Sequence, residues 1–143
     1  MSIIRFPHPE FRKGKVTFGT GCFVSEISDI DATGDIVFGD YCMIGHYAKI
    51  FTHDHFHQGR RPLLILQKEV GVKWMAKVIG NDVWFHECII LMQVTEIPDG
   101  VVIGAGSVLT KIPGAYEIWA GNPAIKVGER EEVVRPTGKL GHA

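Results

Sequence analysis

Long apolar runs are missing from this sequence. The longest, such as residues 88–92, span about five residues, whereas a membrane-spanning helix needs ~20. The N-terminus loses its apolar character after Ile4, which is not the pattern of a secretory signal. Cysteine is scarce too: the three cysteines include no Cys-x-x-Cys pair, a usage typical of free thiols in a reducing compartment. We therefore expect no membrane span and a cytoplasmic location.

A surplus of charge of either sign is also absent. Fifteen Lys and Arg residues face 16 Asp and Glu residues, which leaves a formal net charge of −1. Nucleic-acid binders usually carry a basic excess, so we expect no nucleic-acid partner. The 45% apolar content of the 143 residues is enough for one hydrophobic core. We expect residues 1–143 to form a single domain.

Glycine is plentiful, with 17 residues, and it accompanies an internal repeat. From residue 79 the chain divides into sixes that each begin with a large apolar residue: Ile79, Phe85, Leu91, Ile97, Ile103 and Leu109. An upstream block shows the same period and slips by two residues once, with Phe18, Val24, Ile30 and Ile36 followed by Phe38, Ile44 and Ile50.

A six-residue period of this length indicates a coiled chain. Strands have a period of two and helices of 3.6, and neither maintains such a pattern over ~35 residues. A circuit of three short strands and three turns places each large apolar residue inside a triangular prism. The sequence therefore predicts an all-β fold, a parallel β-helix with a repeat region over about 16–113. A β-sandwich with regularly spaced turns is the competing interpretation.

The two departures from the repeat are an extruded loop over about 52–77 and the chain after about residue 114. Loops of this length inside a compact domain are commonly functional. We expect residues 114–143 to form a short cap, in which the charged chain after Gly128 covers the prism end as a short helix or extends away from it. An open coil edge needs such cover because it invites strand addition.

Three segments resemble a known family. They are Ile-Gly-Asn-Asp-Val-Trp at 79–84, Ile-Pro-Asp-Gly-Val-Val-Ile-Gly-Ala-Gly-Ser-Val-Leu-Thr-Lys at 97–111, and Ala-Gly-Asn-Pro-Ala at 120–124. Together they resemble the hexapeptide-repeat acyltransferases, in particular the maltose and galactoside O-acetyltransferase branch. The resemblance implies a left-handed parallel β-helix, a homotrimer with active sites between subunits, and acetyl-CoA as co-substrate.

The extruded loop opens with Thr-His-Asp-His-Phe-His at residues 52–57. The resemblance implies that the general base lies here, with His53 as the first candidate and His55 as the second. His57 is the third, and we assign it to acceptor binding. Imidazole, with an ordinary pKa near 6.5, suits the removal of a hydroxyl proton as the new C–O bond forms. Metal binding and a solvated surface are the alternatives; we expect no metal, because no Cys or carboxylate scheme accompanies the histidines.

The resemblance also implies a cofactor groove. Trp84 ends a hexapeptide and should project outward, where a large apolar ring is normally covered. Its match in the family lies beside the cofactor or the acceptor; an aromatic residue at a subunit interface is the alternative. The other positions that match cofactor contacts are Ala105, Gly106, Thr110, Lys111 and Lys126. Small residues admit the pantetheine arm, and a hydroxyl or an ammonium suits phosphate oxygens.

These features predict an acetyl-CoA-dependent O-acetyltransferase that acts on a carbohydrate hydroxyl of a sugar, nucleotide sugar or polysaccharide precursor. An amino-sugar N-acetyltransferase is one alternative. A γ-type carbonic anhydrase is another, although its His-x4-His spacing does not occur in this chain. The third is a non-catalytic assembly protein on the same scaffold.

Overall fold

A computed structural model describes residues 3–5 and 13–132. In chain order its elements are β1 (Ile3–Arg5), β2 (Val16–Thr17), β3 (Phe23–Val24), β4 (Asp29–Asp31), β5 (Ile36–Phe38), β6 (Met43–Ile44), β7 (Lys49–Ile50), β8 (His53–His55), α1 (Leu63–Val70), β9 (Val72–Trp74), β10 (Lys77–Ile79), β11 (Trp84–Phe85), β12 (Ile89–Ile90), β13 (Glu96–Ile97), β14 (Val102–Ile103), β15 (Val108–Leu109), β16 (Glu117–Gly121) and β17 (Ala124–Glu129).

Three parallel sheets form the faces of a prism. The first face has the strand order β1-β4-β7-β12-β15, the second β13-β10-β5-β2, and the third β16-β14-β11-β6-β3. On the third face β17 pairs with β16 in the antiparallel direction. The chain passes from the second face to the third and then to the first in each circuit, as in β5, β6 and β7. This confirms the predicted parallel β architecture. The strictly all-β expectation needs one correction, because the loop contains the helix α1.

The register stacks apolar side chains into columns along the prism. On the first face Ile50 pairs with Ile30 and with Ile90, and Ile90 pairs with Leu109. All four side chains are fully buried. Each contributes about 1.5–3 kcal/mol through the removal of apolar surface from water. The core is therefore continuous from one circuit to the next.

The predicted inward position of Leu91 is wrong. Ile90 is fully buried and in register with the first-face column, whereas Leu91 is only half-buried. The inward residues therefore step by five from Phe85 to Ile90 and by seven from Ile90 to Ile97. The corner after β12 carries an extra residue as a result.

The ends of the prism also differ from expectation. β1 pairs with β4, so the parallel ladder includes a strand before residue 16. At the other end β16 and β17 form an antiparallel hairpin that extends to Glu129, beyond the point where we expected the terminal helix or tail to begin. The last part of the predicted cap, residues 133–143, lies outside the described residues.

A ladder of side-chain acceptors lines the corner between the second and third faces. Asp40 Oδ1 accepts a hydrogen bond from the Thr20 amide at 2.7 Å, and Asn81 Oδ1 accepts one from the Asp40 amide at 2.8 Å. Asp99 Oδ1 continues the series with the Asn81 amide at 2.7 Å. These carboxylate and amide oxygens satisfy turn N–H groups that the strand ladders leave unpaired.

Gly100 lies at the same corner with a φ of +72°, in the left-handed region. The ring of Tyr116, from the next circuit, covers it so closely that a β-carbon would overlap the ring atoms. Two separate constraints therefore require glycine here: the backbone conformation and the approach of the ring.

We predict that Gly100→Ala lowers the free energy of unfolding more than Gly106→Ala does. Gly106 has a φ of +71°, but a β-carbon there would meet nothing within 4 Å. The control should lose about 1–2 kcal/mol from left-handed strain alone. Gly100→Ala should lose about 1–3 kcal/mol more, because the Tyr116 ring must move. Urea unfolding measures both values, and equal losses would contradict the role given to the ring.

Candidate functional site

A pocket of about 330 Å³ lies where the extruded loop leaves the prism. It forms because β7 and β12 are neighbours on the first face, so the residues that follow both strands meet at one corner. The lining residues are Phe51, His53, Asp54, His55, Leu91, Met92 and Gln93. The pocket therefore combines apolar walls with two of the three predicted histidines.

His53 is held by a carboxylate from the previous circuit. Its Nδ1 lies 2.6 Å from Asp31 Oδ2, and its backbone N–H donates to the same oxygen at 3.0 Å. Because the carboxylate is an acceptor, Nδ1 carries the proton and Nε2 keeps its lone pair. This arrangement leaves Nε2 as the basic atom of the ring.

Asp31 is 6% exposed, and both of its carboxylate oxygens accept hydrogen bonds. Its Oδ1 accepts from the Thr33 amide at 3.1 Å and the Thr33 hydroxyl at 2.7 Å. Its Oδ2 accepts from the Thr52 amide at 2.8 Å and lies 2.9 Å from the Thr52 hydroxyl. A buried charge with so many donors is stabilised in its ionised form.

The pKa shifts of the pair follow from these contacts. Burial raises the pKa of Asp31, but the hydrogen bonds from His53, Thr33 and Thr52 outweigh it and hold this pKa well below its ordinary value. The hydrogen bond to Asp31 raises the pKa of His53, against a smaller lowering by burial. The site thus holds a carboxylate anion beside an imidazole of increased basicity.

The other loop histidines lie farther out. β8 and β9 form an antiparallel hairpin in which His53 is opposite Trp74 and His55 opposite Val72. The His55 ring is exposed, with its centroid 5.4 Å from that of His53. His57 is exposed as well, and its Nδ1 lies 3.3 Å from the carbonyl of His55. Of the three, His53 alone has a carboxylate hydrogen bond to its ring among the contacts of the described residues.

Trp84 lies on the third face, away from this corner of the prism. It is 39% exposed, and its ring stacks on His86 with the centroids 3.9 Å apart. It does not line the pocket of His53 within one chain. The outward orientation that we predicted for Trp84 is confirmed, whereas its role as a binding residue stays a prediction.

Ala105 and Gly106 form the exposed turn between β14 and β15. Gly106 lines a groove of about 190 Å³ together with Tyr47, Lys49 and Glu87. Space for a β-carbon at Gly106 is open, so no side chain narrows the groove at this turn.

Thr110 and Lys111 follow β15, the neighbour of β12, and so come next to the 91–93 corner along the same edge. Thr110 is half-buried, and Lys111 is exposed. Lys126 lies instead on β17, opposite Trp119, and forms ion pairs with Glu117 at 3.1 Å and with Glu129. A phosphate at Lys126 would therefore compete with two carboxylates, while Lys111 makes no ion pair within the described ranges.

The residues that sequence reasoning missed are Asp31 and Thr33. They are 22 and 20 positions before His53, and the strand register puts Ile30 beside Ile50. The signal available in the sequence was Asp31 itself. It is a charged residue that directly follows the inward Ile30, one circuit before the loop.

Across residues 3–5 and 13–132, no group of three or more His, Cys, Asp or Glu side chains is placed to hold a metal ion. None of the helices in that part of the chain is long and apolar enough to cross a membrane.

We predict that Asp31→Asn lowers the pKa of His53. A neutral amide no longer stabilises the imidazolium form, so the ring loses its proton at lower pH. Asp54→Asn is the matched control, because Asp54 also raises this pKa but is the smallest of the causes. Histidine ring signals followed by NMR across pH give both values, and a larger drop in the control would contradict the dominance of Asp31.

Comparison with known proteins gives a consistent result. No family model matches the sequence. A chloramphenicol acetyltransferase from Klebsiella aerogenes is 29% identical over 147 aligned positions, which cover 86% of this chain and 69% of that relative.

Solved structures of acetyltransferases share the fold. A maltose O-acetyltransferase from Clostridium difficile 630 superposes with a TM-score of 0.66 at 28% identity, over 82% of this chain and 60% of that one. A galactoside acetyltransferase in complex with coenzyme A superposes with a TM-score of 0.69 at 26% identity, over 80% of this chain and 55% of that one. The chain thus spans little more than half the length of these structures. Its homologues and structural neighbours are acetyltransferases, in agreement with the resemblance to the hexapeptide-repeat acyltransferases.

Proposed function

We propose that this protein transfers the acetyl group of acetyl-CoA directly to a hydroxyl group, with His53 as the general base. The observation that carries the proposal is the hydrogen bond of 2.6 Å between His53 Nδ1 and the buried Asp31 carboxylate. It orients the ring, sets the tautomer and increases basicity at Nε2. His55 lacks such a partner among the contacts of the described residues and is the weaker candidate.

In the proposed reaction, Nε2 of His53 removes the acceptor proton while the hydroxyl oxygen forms a bond to the thioester carbonyl carbon. The C–S bond then breaks, and the proton passes from the imidazolium to the departing thiolate. Asp31 stabilises the imidazolium between these steps. No covalent enzyme intermediate is needed, because the thioester is already activated and the main contribution of the protein is alignment.

Acetyl-CoA supplies the acetyl group, and the residues of this chain that we propose to hold it are few. The bare turn of Ala105 and Gly106 accommodates the pantetheine arm, and Thr110 and Lys111 face its phosphates. Trp84 lies on another face of the same chain, so we infer a homotrimer in which the third face of one subunit completes the pocket of its neighbour. We also infer that the helix is left-handed, as the resemblance implies.

The acceptor that we propose is a carbohydrate hydroxyl. The structural neighbours are named for maltose and galactoside, and the sequence relative is named for chloramphenicol. All three compounds offer hydroxyl groups. An acceptor screen with maltose, a galactoside and chloramphenicol, read as free thiol released from acetyl-CoA, distinguishes them. Amino sugars in the same screen test N-acetylation.

We predict that His53→Ala lowers kcat by at least about 10²-fold, the usual contribution of a general base. His55→Ala, on the same short strand, should change kcat by less than about tenfold, because its ring is exposed. Thiol release measures kcat, and binding of CoA to both variants checks that the groove is intact. Full activity in His53→Ala removes this mechanism, and a larger loss in His55→Ala moves the base to His55.

We predict that acetyl-CoA stabilises the protein, by about 2.7 kcal/mol at 100 times its Kd. Lys111→Ala should require more acetyl-CoA for the same stabilisation, because a phosphate contact is lost. Lys15→Ala is the control, because it removes an exposed lysine that is far from Lys111 in the sequence. Thermal unfolding measures the effect, and a Tm that does not respond to acetyl-CoA indicates a non-catalytic assembly protein instead.

A further inference from the structure

Lys77 is buried inside the prism. It is the first residue of β10 and is in register with Ile36 of β5. Ile36 is fully buried, and Lys77 is only 1% exposed. A lysine therefore occupies an inward position where the neighbouring circuit has an isoleucine.

Backbone carbonyls accept hydrogen bonds from all three N–H groups of the Lys77 ammonium. Nζ donates to the carbonyls of Leu91 at 2.8 Å, Met92 at 3.1 Å and Val94 at 2.5 Å. An ammonium has three N–H groups, so all of its donors have partners. Burial lowers the pKa of Lys77 to about 8, and the nearby Asp31 opposes this shift. The side chain crosses the core to hold one short segment of backbone.

That segment is the irregular corner after β12. The inward residues Ile90 and Ile97 are seven apart there, so the corner holds one residue more than the hexapeptide pattern. Its extra length turns carbonyls toward the prism interior, where they need donors. An apolar residue at position 77 would fill the core as Ile36 does, but it would remove a donor from all three carbonyls, and that of Leu91 would keep only the Val94 amide at 3.1 Å.

The same corner is a wall of the candidate active site. Leu91, Met92 and Gln93 line the pocket together with His53 and His55. Lys77 lies behind this wall and bonds two of its three residues. The position of the wall relative to His53 therefore depends on the ammonium.

We propose that Lys77 is a positioning residue, which holds residues 91–94 as the acceptor-binding wall of the pocket. The inference rests on the proposed function, because the wall matters for an acceptor placed against His53. Lys77 does not touch the acceptor. It acts through the backbone that does, so its loss should weaken acceptor binding more than acetyl-CoA binding or the chemical step.

The test compares Lys77→Met with the wild-type protein and with Lys15→Met, an exposed lysine on the first circuit. Methionine keeps the unbranched chain and removes the donors. Hydrogen–deuterium exchange reports on the peptide that covers residues 91–95. Steady-state kinetics, with the acceptor that is active in the screen above, separate KM for the acceptor from KM for acetyl-CoA and from kcat.

We expect Lys77→Met to speed exchange selectively at 91–95 and to raise the KM for the acceptor about tenfold. This is the pattern expected when a mutation removes binding energy that the ground state and the transition state share. The KM for acetyl-CoA and kcat should change by less than about twofold, and Lys15→Met should match the wild type. If Lys77→Met does not fold, Lys77→Gln is measured in its place; its shorter side chain has two N–H donors for three carbonyls, so faster exchange at 91–95 is still expected, though by less than for methionine.

Unchanged exchange at 91–95 in the folded variant overturns the proposal. So does a loss that falls equally on both substrates, because a merely structural role would produce it. A wild-type protein that releases no thiol with any acceptor contradicts the proposed function instead. In that case the exchange experiment alone decides whether Lys77 holds the wall.

Discussion

The buried carboxylate of Asp31 is the interaction on which the rest of the site depends. It joins two successive circuits of the prism, since it belongs to β4 and its donors Thr52 and His53 follow β7. Hydrogen bonds to a charged group are worth about 1.5–3 kcal/mol each. The loop leaves the prism directly after Thr52, so this cluster fixes both the starting direction of β8 and the ring of His53. The support of the loop and the raised pKa of His53 therefore depend on the same carboxylate.

The candidate site lies where the six-residue repeat is interrupted. Where the repeat is kept, inward positions carry apolar or small residues and the faces are regular. Because of the two-residue slip near Ile36, β5 and β10 each have two inward positions instead of one. Lys77 occupies the first of the two in β10. The shift at Ile90 makes the corner that Lys77 holds. Both irregularities lie beside the loop, so departures from the repeat build the pocket that the repeat itself lacks.

Much of the fold was predictable from the sequence, because a period of six has few physical solutions. The three faces and the outward Trp84 follow from that period. The choice between Ile90 and Leu91 does not, because any residue of an apolar run satisfies the pattern and only pairing with Ile50 and Leu109 decides it. The partnership of His53 with Asp31 was not predicted either. It spans one circuit, and the slip changes the circuit length from 18 to the 20 residues that separate Ile30 and Ile50.

The helix α1 has no buried residue, and this has a consequence for how such a molecule diversifies. The extruded loop that carries α1 leaves the prism after Thr52 and returns to it at Lys77, so the composition of α1 is free of the packing constraints that govern the core. Doubling the length of a flexible loop costs about 0.6 kcal/mol, which a continuous core tolerates. Insertion and substitution around α1 are therefore able to vary the outer part of the loop while the prism core keeps its packing.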